Sequence, residues 1–154
     1  MTEEAKRERV GTLLPVITNF DRWFWESLSE GKLLIQVCED CGHAQFPPSP
    51  ACTNCLSERV DWQESTNRAT LWSKVRFHKA YLAPYSDVPY AVGIGRLEQG
   101  CLISGRISEK VYEEQPLDSE MKIQFCKTLD GTVIIEFVPD NTQTGGALFE
   151  KNNQ

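Results

Sequence analysis

From about residue 65 onward, apolar and polar side chains alternate with a period of two. Ala69 to Ala80 (ATLWSKVRFHKA) reads as one long strand, because alternation places every second side chain on the same face of a pleated backbone. Tyr90 to Leu97 and Cys101 to Ile107 read as a hairpin turned at Glu98-Gln99-Gly100. Met121 to Thr128 and Thr132 to Val138 read as a second hairpin around Asp130-Gly131, a dipeptide that accepts the positive φ of tight turns. Loops are expected over 81–89, with Pro84 and Pro89, and around Pro116. Five short strands with turns between them predict a small sandwich or barrel, and five is the strand count of the OB barrel.

Upstream the spacing is helical. Phe20, Trp23, Phe24 and Leu28 fall at i, i+3, i+4 and i+8, one apolar face of a helix. Thr18 and Asn19 are candidate N-caps, Asp21 suits the positive end of the helix, and Gly31 suits its C-terminal stop. Trp25 lies off the centre of that face. It is either a half-exposed edge aromatic or an anchor for a partner protein, since Trp is enriched at interface hot spots. Before the helix, Val10 to Ile17 (VGTLLPVI) is apolar, contains Pro15 and is expected to lie extended. After it, Leu33 to Val37 is a short strand running into Cys38, Gln45-Phe46 a possible return strand, and Pro47, Pro48 and Pro50 force an extended path into Cys52. The tail 141–154 is polar and expected to be flexible. The chain thus divides into an arm and helix (1–32), a cysteine ribbon (33–64), a β barrel (65–140) and a tail (141–154). The fold class is mostly β.

The strongest chemical signal is Cys38-x2-Cys41-x10-Cys52-x2-Cys55. Two residues between cysteines let both sulfurs of a turn reach one metal, and two such turns supply four thiolates in a tetrahedron, the donor set of structural zinc sites. Four thiolates leave no open position for substrate or water, so the metal is expected to be structural. Iron, as in a rubredoxin centre, is the competing ion, because thiolates alone do not select the metal. His43 lies beside the sulfurs and is expected to be a surface group rather than a ligand. Cys101 and Cys126 stand alone in strands and read as small buried hydrophobes.

Composition narrows the functional classes. The 154 residues carry 22 Asp and Glu against 16 Lys and Arg, for a net charge of −6. That acidity argues against a nucleic-acid partner, which a broad positive field would attract. No apolar run reaches the roughly 20 residues of a membrane span, and the polar start MTEEAKRERV is no secretory leader. The expected compartment is the cytoplasm, where thiols stay reduced and paired cysteines indicate metal rather than disulfides. There is no Gly-x-Ser-x-Gly, phosphate loop or HExxH, and no nucleophile, base and orienting group can be assembled, so no catalytic residue is expected. One strip is unusual in an acidic chain. Lys74, Arg76 and His78 alternate with Val75 and Phe77, and Lys79 follows. This is either a solvated outer face of the barrel or a site for a phosphate-bearing ligand such as the nucleotide end of CoA.

The order of parts carries a resemblance. Phe24-Trp25-Glu26 is followed by Gly31-Lys32-Leu33, Cys38-x2-Cys41-Gly42, Phe46-Pro47-Pro48, Cys52-x2-Cys55-Leu56-Ser57, Trp62, Ala69-Thr70-Leu71-Trp72-Ser73 and Val88-Pro89-Tyr90. Over residues 16–140 the chain resembles the rubredoxin-like zinc-ribbon plus OB-fold proteins of acyl-CoA metabolism. The resemblance implies an N-terminal helical segment, a zinc ribbon and a C-terminal five-stranded OB barrel. It also implies a thiolase-superfamily partner subunit that carries the catalysis, with this chain as a non-catalytic accessory in a hetero-oligomer, helping to form the acyl-CoA site. Two other readings stand beside it. One is a single-stranded nucleic-acid binder stacking bases on Phe77, Tyr81, Tyr85 or Tyr90. The other is a stand-alone enzyme or electron carrier.

Overall fold

The computed structural model describes residues 15–81, 87–128 and 131–140. The arm up to residue 14, Pro84 and Tyr85 in the long loop, Asp130 and the tail 141–154 lie outside the described residues.

A short helix, α1 (Arg22–Ser29), leads into a three-stranded antiparallel sheet. Its strands are β1 (Leu33–Cys38), β2 (Ala44–Gln45) and β3 (Val60–Ser65), in the order β2-β1-β3. Five further strands follow: β4 (Arg68–Phe77), β5 (Tyr90–Arg96), β6 (Leu102–Ile107), β7 (Glu120–Lys127) and β8 (Val133–Pro139). They close into a barrel in the order β4-β5-β6-β8-β7, with β7 returning to β4. Every pairing in the barrel is antiparallel except β6 with β8. Of the sandwich and barrel that the alternation left open, the chain forms the closed five-stranded barrel that the resemblance implies.

Two elements were not anticipated. β3 pairs with the whole of β1, Leu33 opposite Ser65 through Cys38 opposite Val60, and makes the ribbon a sheet. Its apolar face is only Val60 and Trp62, too few alternating positions to read as a strand. The six-residue helix α2 (Glu109–Glu114) lies where a loop was expected. Its signals are present: the Ser108 hydroxyl accepts a hydrogen bond from the Val111 N–H, and Glu109 sits in the first turn.

Helix α1 turns a narrower face inward than its periodicity predicts. Phe24, Ser27 and Leu28 are buried, whereas Phe20 and Trp23 are exposed. The helix begins only after Asp21, whose carboxylate accepts hydrogen bonds from the Thr18 N–H and hydroxyl and from the Trp25 indole. That clasp winds the chain entry so that Phe20 precedes the first full turn and leaves the buried side. Gly31 ends the helix at φ +75°, as expected.

One continuous hydrophobic core joins the parts. Phe24 and Leu28 of α1 and Leu33 and Ile35 of β1 pack into the same cluster as Leu71, Ile103, Met121, Ile123 and Phe137 of the barrel. The ribbon is therefore anchored at its base by β1, Ala44 and Phe46 reach the same core, and Cys41 and Cys55 at its tip are exposed.

Candidate metal centre and the surfaces around it

The two cysteine turns repeat one backbone geometry. The Gly42 N–H donates to Cys38 O and the Leu56 N–H to Cys52 O, each at 2.9 Å. The Cys38 N–H donates to His43 O and the Cys52 N–H to Ser57 O. In both turns the residue after the second cysteine has positive φ, +70° at Gly42 and +64° at Leu56. Glycine takes that conformation freely, while leucine carries a penalty of about 1–2 kcal/mol. Leu56 is also 79% exposed, so no burial compensates. Leu56→Gly should leave metal retention intact and raise stability by up to about 1 kcal/mol, after the entropy of the added glycine is subtracted. Thermal melts of the two proteins check this.

The four sulfurs converge. All lie within 4.8 Å of one another. Cys38 Sγ is 3.6 Å from Cys55 Sγ, and Cys41 Sγ is 3.7 Å from Cys52 Sγ. A disulfide needs about 2 Å. The edge of a tetrahedron with 2.3 Å zinc–sulfur bonds is about 3.8 Å. The spacing therefore fits one four-coordinate ion and no disulfide. Amide hydrogens support the sulfurs: the Asn54 N–H donates to Cys52 Sγ and the Asn54 side-chain amide to Cys41 Sγ. The His43 amide, with Asn54, holds the Cys41 thiol down to about 6. At Cys55 the Ser57 amide acts in the same direction, but Cys41 and the other crowded sulfurs, with burial, push the thiol up to about 12. Four adjacent thiolates repel one another unless a cation sits between them, and this donor set fits a soft or borderline divalent metal.

His43 is not among the converging groups. Its Nε2 lies 3.3 Å from the Thr53 hydroxyl, on the surface. Cys101 is buried, which raises its thiol, and Cys126 donates to Glu136 Oε2 at 3.1 Å.

Behind the turns lies a buried polar clasp that the cysteine pattern did not reveal. Gln36 and Gln45 are each 4% exposed. The Gln45 amide donates to Gln36 Oε1 (2.9 Å) and to Ala51 O (3.2 Å). Gln45 Oε1 accepts from the Thr53 N–H (2.8 Å), and Gln36 Oε1 from the Ser49 N–H (2.8 Å). The clasp ties β1 and β2 to the chain entering the second cysteine turn. The only hint in the sequence is two glutamines at buried positions of short strands. Gln45→Leu orphans the Thr53 amide and removes a donor from Gln36. It should cost about 2 kcal/mol and speed metal loss to a chelator, measured by competition with a chromogenic dye.

The basic strip is placed differently from either expectation. Opposite residues of an antiparallel ladder share a face. A bulge between Leu71 and Ser73 shifts the phase of β4. Lys74 then stands opposite Gly93 and Arg76 opposite Ala91, both inward positions. Lys74 Nζ donates to Tyr112 O (2.6 Å) and Gln115 O (2.5 Å), the end of α2. Arg76 pairs with Glu109 (2.9 Å) and Glu113 and stacks over the Tyr112 ring at 4.2 Å. These two cations fasten α2 across the end of the barrel, and the outer face is left to Val75 and Phe77. His78 and Lys79 lie beyond the strand and are exposed.

Trp25 is half-buried. Its ring meets Phe24 edge-on at 5.2 Å and its indole donates to Asp21 at 3.3 Å. The exposed aromatics nearby are Trp23 of α1 and Phe20 just before it, close in sequence to exposed Val16 and Ile17.

A rubredoxin-type ribbon packed on an OB barrel defines the class of protein. Residues 25–61 match the family model described as ChsH2, rubredoxin-like zinc ribbon domain. Two curated relatives are each 31% identical. One is a probable enoyl-CoA hydratase alpha subunit of Thermomonospora curvata, over 83 residues, 53% of this chain and 26% of that protein. The other is the 3-oxo-4,17-pregnadiene-20-carboxyl-CoA hydratase alpha subunit of Mycobacterium tuberculosis, over 85 residues, 55% of this chain and 27% of that protein. The chain spans about a quarter of the length of these relatives. Among solved structures, a chain of the Ltp2-ChsH2(DUF35) aldolase shares the fold with a TM-score of 0.72 at 21% identity, over 82% of this chain and 98% of that one. A Sulfolobus solfataricus protein of the DUF35 family, of unknown function, aligns with a TM-score of 0.58 at 15% identity, over 88% of this chain and 92% of that one. No helix among the described residues is long and apolar enough to cross a membrane.

Proposed function

We propose that this chain is a non-catalytic accessory subunit of an acyl-CoA enzyme, and that its partner is a thiolase-superfamily protein carrying the reacting groups. The observation that carries the reading is the coincidence of a saturated four-sulfur site with a fold shared across 98% of the ChsH2(DUF35) chain of an aldolase complex. A saturated site organises structure and offers no coordination position to substrate. Relatives named as hydratase alpha subunits point to the same acyl-CoA setting.

In this reading Cys38, Cys41, Cys52 and Cys55 hold one structural zinc ion. The exposed Phe20 and Trp23, with half-buried Trp25 beside them, form the apolar face that docks the partner. Trp is the residue that most often anchors such contacts. Of the basic strip, exposed His78 and Lys79, the latter over the Tyr81 ring at 5.9 Å, are the groups that meet a CoA phosphate, since Lys74 and Arg76 are engaged by α2.

Co-expression with a thiolase-like protein tests the assignment. A stable complex is expected, with turnover that the partner alone lacks and about one zinc per chain by elemental analysis. A chain that copurifies with no such protein and changes no such activity sinks it. A red, iron-loaded site would replace the zinc.

A further inference from the structure

The barrel has a seam. β6 and β8 are parallel neighbours joined at one register pair, Arg106 opposite Glu136. Beyond that pair, Leu102–Gly105 and Val133–Ile135 are not paired to each other, and a cleft of about 410 Å³ opens there. Ile103 and Ser104 from one strand and Ile134 and Ile135 from the other line it. Helix α1 roofs it with Phe24, Trp25 and Leu28. Phe77 and Tyr90, stacked at 4.9 Å with 17° between their planes, form a wall. The volume falls in the range of about 300–1,000 Å³ typical of small-ligand sites, and so does the pattern of apolar walls with few polar groups.

The polar groups say which ligand. Arg106 lines the cleft, is half-buried and forms no ion pair among the described residues. Glu136, its register partner, is turned to Cys126. A half-buried guanidinium presents forked donors that suit a single carboxylate or carbonyl oxygen. The exposed Asp87 at the same cleft disfavours a multiply charged phosphate more than a singly charged carboxylate or a neutral thioester.

We propose that the cleft between α1 and the β6–β8 seam binds an apolar chain ending in one oxygen-bearing group, a medium-chain carboxylate or its thioester. This deepens the accessory-subunit reading and rests on it only for the source of the ligand: the acyl portion is held by this chain and not solely by the partner.

The test uses the full chain with 8-anilinonaphthalene-1-sulfonate as the reporter and decanoate, an S-decanoyl thioester and decanol as competitors. Decanoate and the thioester should each displace the fluorophore, and the ratio of their affinities tells free acid from thioester as the preferred form. Ser104 is exposed, so Ser104→Trp fills the mouth without disturbing the core and should weaken decanoate about tenfold or more. Arg106→Gln should weaken decanoate about tenfold and decanol less than about twofold, a split that a misfolded variant would not give. Decanoate that fails to displace the fluorophore, or binds Ser104→Trp as well as the parent, overturns the proposal. So does displacement by a protein partner but not by decanoate, which would make the cleft a protein dock. Absent decanoate binding with an intact partner complex sinks this inference alone. Decanoate binding with no partner complex sinks the accessory-subunit reading alone.

Discussion

Stripping the metal from the four-sulfur site should melt residues 38–57 while leaving the barrel folded. Apart from the Gln36–Gln45 clasp and the Phe46 ring against Phe24, the cysteine end of the ribbon has little else to hold it. β2 is two residues long and pairs with β1 only at Gln36–Gln45 and Val37–Ala44. The large apolar residue beside the second turn, Leu56, faces solvent. Short zinc-bound segments draw roughly 10–16 kcal/mol from the ion, and that binding energy is folding energy. The barrel has its own closed hydrogen-bonded ladder and core, and β1 is anchored in that core through Leu33 and Ile35. Amide exchange after chelation should therefore show lost protection at Gly42, Cys52 and Leu56 and retained protection along β5 and β7. Cys38→Ser should reproduce the pattern. Unchanged protection over 38–57 in metal-free protein would refute the structural role of the ion.

Phe137→Ala should destabilise the chain by about 3–5 kcal/mol, the usual range for emptying a fully buried aromatic position. Phe137 is 0% exposed and occupies the barrel axis. It fits because facing positions have no side chain. A Cβ at Gly95 would lie 2.7 Å from Phe137 Cε1 and Cζ, and one at Gly105 would lie 2.7 Å from Phe137 Cε2. Gly95→Ala should accordingly cost about 1–3 kcal/mol by overpacking. In the double variant the new methyl group enters the space the ring vacates, so the combined loss should fall clearly below the sum. Urea unfolding of the four proteins measures the coupling. Strict additivity would mean that the ring and β5 do not meet.

Much of this was legible in the chain. The five barrel strands follow from period-two alternation, since a strand's two faces are set by its own backbone. The metal site follows from spacing, since a Cys-x2-Cys turn brings two sulfurs together without help from distant residues. Gly42 announced the positive φ of the first turn, but Leu56 hid the same conformation in the second. β3 and α2 escaped because one shows only two alternating apolar residues, Val60 and Trp62, and the other is too short for periodicity.

What the sequence by itself determined, then, is which residues share a face and which four sulfurs can share an ion. Which face points inward was decided only in three dimensions. The bulge at Leu71/Ser73 turned Lys74 and Arg76 toward the barrel end and gave them to α2. The Asp21 clasp left Phe20 and Trp23 outside. The cleft exists because two strands far apart in sequence meet at a single pair. Periodicity is a property of one element, whereas phase, register and seams belong to pairs of elements, and no local pattern encodes them.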